Sequence, residues 1–471
     1  MTFLIGAANS LTGAYEVTNS VRFRSAGSSQ MSQGNGTPTS SKKMTWSAWV
    51  KTGKNFEIDS ETTLYSATGG GGNGANITFS NDALKFQSDT GNSGTDFAVF
   101  FGNPARQFRD PAAWYHIVCA LDTTQGTAAN RNKIYVNGVQ QEILAGNTNA
   151  TQDDDYDFTS ARDSALGKNI TSNGNYFDGY MSEIHLIDGQ QLTPASFGET
   201  NSNGVWVPIE YSGTFGNNGW YIPGSSNTTD SSGNGNNFGQ SNTVITTDTP
   251  TNNFATLNPL NYRLGKGHTF SEGNLQVTTG TSGGSVGGFS TIAGLKRGKW
   301  YAEFKPTVVG TSGAIRFGIE DTDFVAANGL CNVAASAYAS NGNKGRNATD
   351  TSHGDSFDDD DIIGVAVDLD NGAIYFAKNG TWQNSSDPES GASKTGAAYT
   401  DILTILPAGG YMFAFNLSFN NSQQENVQVN FGVPGFTVSS GNADGNGYGD
   451  FEFAVPSGYY SLCTKNLAEF G

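Results

Sequence analysis

A chain of 471 residues is long enough for two to four domains with substantial cores. It holds 62 glycines, 12% aromatic residues and only 14% charged residues, against roughly 25% charged in an average soluble domain, and this turn-rich balance excludes a mainly helical protein. The formal charge of -18, from 43 acidic against 25 basic residues, repels a phosphate backbone over most of the surface and excludes nucleic acid as a natural partner.

The first residues, MTFLIGAANSLTG, have no basic leading region and only a short apolar run from Phe3 to Ala8, so they do not read as a secretory signal. No apolar run reaches the roughly 18 residues that would insert into a membrane. Residues 1–20 read as a docking segment, apolar then polar. From Val21 to Trp206 short strand-like runs alternate with turn clusters, and no stripe of helical period appears. Strands are expected at Ser20–Arg24, Met44–Lys51, Thr63–Ser66, Asn76–Phe79, Ala83–Phe86, Phe97–Phe101, Trp114–Leu121, Lys133–Val136, Ser164–Gly167 and Tyr180–Ile187. Within them, Trp114–Val136 closes on Asn137-Gly138, the dipeptide of a tight hairpin turn. The count and spacing predict an antiparallel sandwich or jelly roll.

The ordered phrases Met44-Thr45-Trp46-Ser47-Ala48-Trp49-Val50, Trp114-Tyr115-His116-Ile117-Val118, Ile134-Tyr135-Val136-Asn137-Gly138 and Phe177-Asp178-Gly179-Tyr180-Met181-Ser182-Glu183-Ile184 resemble the concanavalin A-like lectin/glucanase fold of the laminin-G kind. The resemblance implies two antiparallel sheets over residues 21–206, often with calcium at one rim and often binding glycans or proteins.

Residues 207–290 are turn-rich, with SSGNGNN at Ser231–Asn237, TDTPTNNFATLNP at Thr247–Pro259 and a short apolar island at Trp220-Tyr221-Ile222. They read as a connector packed through Trp220, Tyr221 and Phe254. The same phrases, with the direct run from the N-terminus into the first strand, resemble a recurrent linker of bacteriophage virion proteins, especially from marine phages. Strands return in residues 291–471 at Gly298–Pro306, Ala314–Asp321, Asp361–Trp382, Tyr411–Phe419 and Val427–Gly432. Their order, and above all the phrase DIIGVAVDLDNGAIYFAKNG, resemble the SPRY domain. That implies a second, non-catalytic sandwich whose rim loops bind protein segments, followed by a C-terminal tail. The fold class expected is therefore all-β, two antiparallel β-sandwich domains.

Side chains with chemistry are few. Glu57-Ile58-Asp59-Ser60-Glu61 resembles the E-x-D-x-E strand of laminarinase- and lichenase-type glycosidases. A retaining mechanism needs carboxyls about 5–5.5 Å apart, whereas i and i+4 on a strand lie about 13 Å apart at the backbone. The run also follows Lys51–Asn55, where a polar loop is expected, so catalysis by Glu57, Asp59 and Glu61 is the alternative reading and a non-enzyme the main one. Asp153, Asp154, Asp155 and Asp157 form the better of two acidic loops for calcium, which wants six to eight oxygens; Asp358–Asp361 is the other. Tyr156, Tyr176 and Trp206 in the first sandwich, and Tyr338 and Trp382 in the second, are candidate stacking surfaces for a glycan. His116 and His185 read as solvent-facing strand residues, and no histidine spacing marks a metal site. Cys119, Cys331 and Cys463 are too scattered for a disulfide framework.

The resemblances together imply a bacteriophage virion protein, a fibre, spike or capsid decoration. Its expected partners are other virion proteins, a host-surface glycan or protein, and further copies of itself as a homo-oligomer, a trimer by class. Its expected place is the virion surface, after assembly in the host cytoplasm and release by lysis.

Overall fold

The computed structural model describes residues 15–53, 61–69, 74–80, 83–88, 97–101, 108, 110–142, 147–262, 267–280, 284–309, 315–322, 336–347, 349–419 and 424–471. The fold is all-β, and the chain divides into two compact units, one reaching to Thr251 and the other starting at Asn252.

In the first unit one sheet runs Val139–Gln140, Asn132–Val136, Trp114–Asp122, Lys43–Thr52, Gly179–Asp188, Ser20–Phe23 and Val244–Thr246, with Trp220–Ile222 also paired to Gly179–Asp188. The facing sheet runs Gly239–Ser241, Gln30–Gly34, Asp163–Leu166, Glu61–Thr68, Gly74–Ser80, Ala83–Ser88 and Phe97–Phe101. Alternation sends Met44, Trp46, Ala48 and Val50 inward, where they meet Ile117, Cys119, Leu121, Ile77, Phe79, Leu84 and Phe86 in one core. Burying each large apolar side chain of this kind stabilises the fold by about 1.5–3 kcal/mol. The hairpin turn is as expected: Asn137 and Gly138 both have positive φ, 48° and 79°, and Val136 pairs with Val139 across it.

The second unit repeats the plan. One sheet runs Leu257–Tyr262, Gly284–Ser290, Tyr411–Phe419, Arg316–Asp321, Ser336–Ala339, Asn343–Arg346 and Thr349–Ser352. The other runs His268–Ser271, Gln276–Thr279, Asn426–Asn430, Lys299–Val308, Ile363–Asp368, Ala373–Lys378 and Thr381–Trp382. Trp300, Phe304, Val365, Phe376, Phe413 and Val429 share its core, and Asn379 and Gly380 (φ 47° and 77°) make a turn of the same hand as Asn137-Gly138.

Residues 207–290, read from their composition as a connector, are strands and covers of the two sandwiches. Trp220 and Ile222 enter the first core, Gly239–Ser241 and Val244–Thr246 are edge strands of its two sheets, and Leu257–Tyr262, His268–Ser271, Gln276–Thr279 and Gly284–Ser290 belong to the second unit. Glycine and asparagine here serve tight turns between three-residue strands rather than a mobile tether.

Candidate functional site

The two sheets of the first unit treat their outward faces differently. On the Lys43–Thr52 sheet the outward residues Thr45, Ser47, Lys51, His116, Ser182 and His185 are all buried, because the chain from Leu192 to Thr251 folds back across them. Trp206 is the main cover. Its indole N–H donates to Nδ1 of His116 at 3.0 Å, so the other ring nitrogen carries the proton and donates to Ser47 Oγ at 2.9 Å. Its ring also lies where a side chain at Gly138 would sit, 2.6 Å from the Cβ position, so this turn needs glycine both for its positive φ and for the indole. His185 stacks on Tyr221 at 4.4 Å and donates from Nδ1 to the Glu183 carbonyl at 2.8 Å.

Burial pushes both imidazoles down to about 3, aided at His116 by His185, so they are neutral packing residues and not the solvent-facing ones that alternation suggested. Glu183, at a bulge in the pairing of Gly179–Asp188 with Lys43–Thr52 and at φ 49°, accepts from Tyr15 at 3.0 Å and from Tyr221 at 2.9 Å. Burial nevertheless raises its carboxyl to about 7, against the lowering effect of those two hydroxyls.

The opposite sheet turns a row of small polar side chains outward. The registers place Ser32, Ala165, Ser66, Asn76 and Gln87 side by side across five strands, with Thr63, Thr78 and Lys85 in the next row. Gln87 donates to Asn76 at 3.1 Å, Thr78 donates to Asn76 at 3.1 Å and lies 3.2 Å from Thr63. At the end of this face Glu61 pairs with Lys85 at 3.5 Å and accepts from Asn175 at 3.3 Å. Thr62 donates to the Tyr176 carbonyl at 3.3 Å, so Glu61 and Tyr176 are brought together on neighbouring backbone. Thr63, Ser66, Asn76, Thr78 and Ala165 in the middle of these rows are buried, Ser66 beneath the Lys168 carbonyl and the Ile170 N–H, whereas Ser32, Lys85, Gln87, Asn175 and Tyr176 are half-buried and Glu61 is exposed. The amides, hydroxyls, carboxylate, ammonium and phenol of that margin are groups that hydrogen-bond and stack on a saccharide.

The other expected residues fall apart. Glu57 and Asp59 lie outside the described residues, and Glu61 is exposed and ion-paired, unlike the desolvated acid of a glycosidase. Tyr156 is 2% exposed, edge-on to Phe97 at 4.9 Å, with its oxygen accepting from Thr151 N–H at 3.0 Å. Tyr338 is fully buried, stacked on Phe376 at 5.4 Å and donating to the Asp355 carbonyl. Both are core residues, because a local backbone partner for the hydroxyl lets the ring be buried. Trp206 is the half-buried cover described above, and Trp382 is half-buried at the edge of its sheet, 6.5 Å from Tyr301.

Asp153, Asp154 and Asp155 are exposed and Asp157 is half-buried. No three His, Cys, Asp or Glu side chains among the described residues are arranged to hold a metal ion. In the second acidic run Asp360 and Asp361 are met by Lys305 at 3.0 Å and Lys378 at 3.1 Å.

Two features escaped sequence reading. Glu303, on the outward face of Lys299–Val308, is fully buried and accepts from the backbone of Glu452 and Phe453 at 3.1 and 2.9 Å, from Asn430 at 3.1 Å and from Tyr301 at 3.2 Å. It pins a covering segment, in which Phe451 and Tyr459 lie over Tyr301, Ala366 and Tyr375. Burial raises its carboxyl to about 7, partly offset by those donors. The second unit also carries a cleft of about 380 Å³ lined by Arg297, Lys299, Asp370, Tyr460, Glu469 and Phe470. The outward position of Glu303 follows from the K-W-Y-A-E-F alternation, but the covering segment that buries it gives no periodic signal.

Residues 25–196 match the family model of the concanavalin A-like lectin/glucanases superfamily, and residues 299–399 match that of the SPRY domain. No curated protein matches the chain. Among solved structures the chain is similar to the SPRY domain of human HERC1, at 21% identity over 33% of this chain and 87% of that one, with a TM-score of 0.25. A human SPRY domain matches at 17% identity over 36% of this chain and 96% of that one, TM-score 0.26. A putative carbohydrate binding protein from Bacteroides ovatus ATCC 8483 matches at 14% identity over 50% of this chain and 60% of that one, TM-score 0.34. The two family matches speak for carbohydrate or protein binding rather than for an enzyme.

Proposed function

We propose that this chain is a recognition protein of a bacteriophage particle, a fibre, spike or capsid decoration, whose first sandwich binds a host-surface saccharide. The observation that carries the binding reading is the polar row of the Glu61–Thr68 sheet, which ends at Glu61, Lys85, Asn175 and Tyr176. The other outward face of that sandwich is closed by its own chain, whereas here Glu61 is exposed and Ser32, Lys85, Gln87 and Tyr176 are half-buried at the margin of a row whose middle is buried, so a ligand has that margin to use. The second sandwich presents its loops to a protein segment, and the virion reading rests on the linker phrases at Ser231–Asn237 and Thr247–Pro259. Assembly as a homo-oligomer, a trimer in this reading, multiplies weak saccharide sites into firm attachment.

Binding is tested by titrating host capsular or lipopolysaccharide fragments into the protein, and into Tyr176→Ala and Lys85→Ala. Loss of binding in both variants is expected, and equal binding by all three proteins overturns the site. The virion reading is tested by mass spectrometry of purified particles, and its failure to find the chain overturns that reading alone.

A further inference from the structure

The covered face of the first sandwich holds an arrangement that recognition does not use. Lys51 lies near the end of Lys43–Thr52, directly between Tyr180 and Trp114 on the neighbouring strands. Asp248 follows the edge strand Val244–Thr246. The Lys51 Nζ is 2.7 Å from Asp248 Oδ2, and both side chains are fully buried. Trp114 Nε1 donates to the other carboxyl oxygen at 3.2 Å, Ser20 Oγ donates to the Asp248 carbonyl at 2.6 Å, and the Tyr180 ring centre is 5.5 Å from Nζ. An amine and a carboxyl are thus held in contact, out of water and in fixed orientation, which is the condition under which a bimolecular reaction becomes effectively unimolecular.

We propose that Lys51 and Asp248 join in an amide bond, an intramolecular crosslink that the folded chain forms without another enzyme. Burial lowers the basicity of Lys51 against the opposing pull of Asp248 and Asp110. The Lys51 proton passes across the 2.7 Å contact to the carboxylate, leaving a free amine against a carboxylic acid. The nitrogen lone pair attacks Cγ of Asp248, and the Trp114 N–H steadies the oxygen on which negative charge develops. The nitrogen then gives a proton to the departing hydroxyl, the C–O bond breaks, and one water leaves. The step is a dehydration with no change of oxidation state and no co-reactant. The product ties the central part of one sheet to the end of the segment that covers it.

The test is the mass of the full chain, denatured and reduced. The purified protein is expected to be lighter than its sequence by one water, and a tryptic digest is expected to be uncut after Lys51 and to yield one branched peptide containing Lys51 and Asp248. Lys51→Arg and Asp248→Ala are expected to restore the full mass. A full sequence mass with normal cleavage after Lys51, or a lost water that maps to any other position, overturns the proposal. Because the unsubstituted protein decides the outcome, a variant that fails to fold leaves the result intact.

Discussion

The two outward faces of the first sandwich are built from strands of similar pattern and are buried by different means. On Lys43–Thr52 the outward residues Thr45, Ser47, Trp49 and Lys51 are polar or aromatic and all are buried. On Glu61–Thr68 and Gly74–Ser80 the outward residues are small hydroxyls and amides that bond to one another and lead to the exposed Glu61. Large amphipathic side chains with a polar tip, Trp114, His116, Tyr180 and His185, take a cover because their rings gain by burial while a neighbour meets a polar atom of each. Ser66, Asn76 and Thr78 are buried as well, but by hydrogen bonds to one another and, at Ser66, to the Lys168 and Ile170 backbone, since their small side chains offer little apolar area for a ring to cover. Side-chain size, more than polarity, separates the face closed by rings from the one whose margin stays available.

The hardest blow to the closed face is Asp248→Ala, which takes from the buried Lys51 amine its carboxylate partner at 2.7 Å. A loss of about 3–5 kcal/mol is expected, read as a lower urea midpoint, since removing one partner of a buried pair is strongly destabilising. Glu303→Gln in the second sandwich tests whether its own covered face follows the same logic. The Glu303 carboxyl lies at about 7 in the folded chain, against an ordinary 4.5. Its contribution is therefore fully present below about pH 4.5 and lost as pH rises through 7, a few kcal/mol in all. The second unit should melt lower at pH 8 than at pH 5, and Glu303→Gln should flatten that slope; an unchanged slope would refute the assignment.

In the first unit Glu183 acts in the same direction, but His116 and His185, held at about 3, lose their contribution as pH falls below about 6.5. A melting optimum between these limits is expected there, and a double His116→Asn/His185→Asn variant should lose the acid limb. Trp206→Ala removes a half-buried ring from Gly138 and a donor from His116, for about 2 kcal/mol. Smallest of all, Gln87→Ala on the available face should change stability by less than about 0.5 kcal/mol while weakening saccharide binding. A larger stability loss than that of Trp206→Ala would break the distinction between the faces.

Much of the scaffold was legible. The Trp114–Val136 strands, their Asn-Gly turn and the Asp361–Gly380 hairpin stand as their alternation and turn residues predicted, because those signals are local. The covering segments were not legible. Trp220-Tyr221-Ile222 is three residues long, too short to show a period, and the loops around it have the composition of a tether. Tyr156 and Tyr338 were misplaced for a related reason: whether a phenol can be buried depends on a distant carbonyl or N–H that the sequence does not mark. Glu61 and Tyr176 were each picked for separate reasons, and only the hydrogen bonds from Thr62 to the Tyr176 carbonyl and from Asn175 to Glu61 show that they are neighbours.

Both sandwiches receive their covers late. The first sheet has its last long strand by Asp188, yet Trp206, Tyr221 and Asp248 come afterwards; the second has Ala373–Lys378 well before Phe451 and Tyr459. During synthesis at about 5–20 residues per second, some seconds therefore pass in which each ribosome-bound sandwich shows a bare aromatic face. Nascent chains on one messenger are close enough to meet through those faces, so the yield of soluble protein should depend on ribosome spacing and on chaperones that hold the sheet until its cover emerges. A fragment cut at residue 206 would carry that transient exposure permanently.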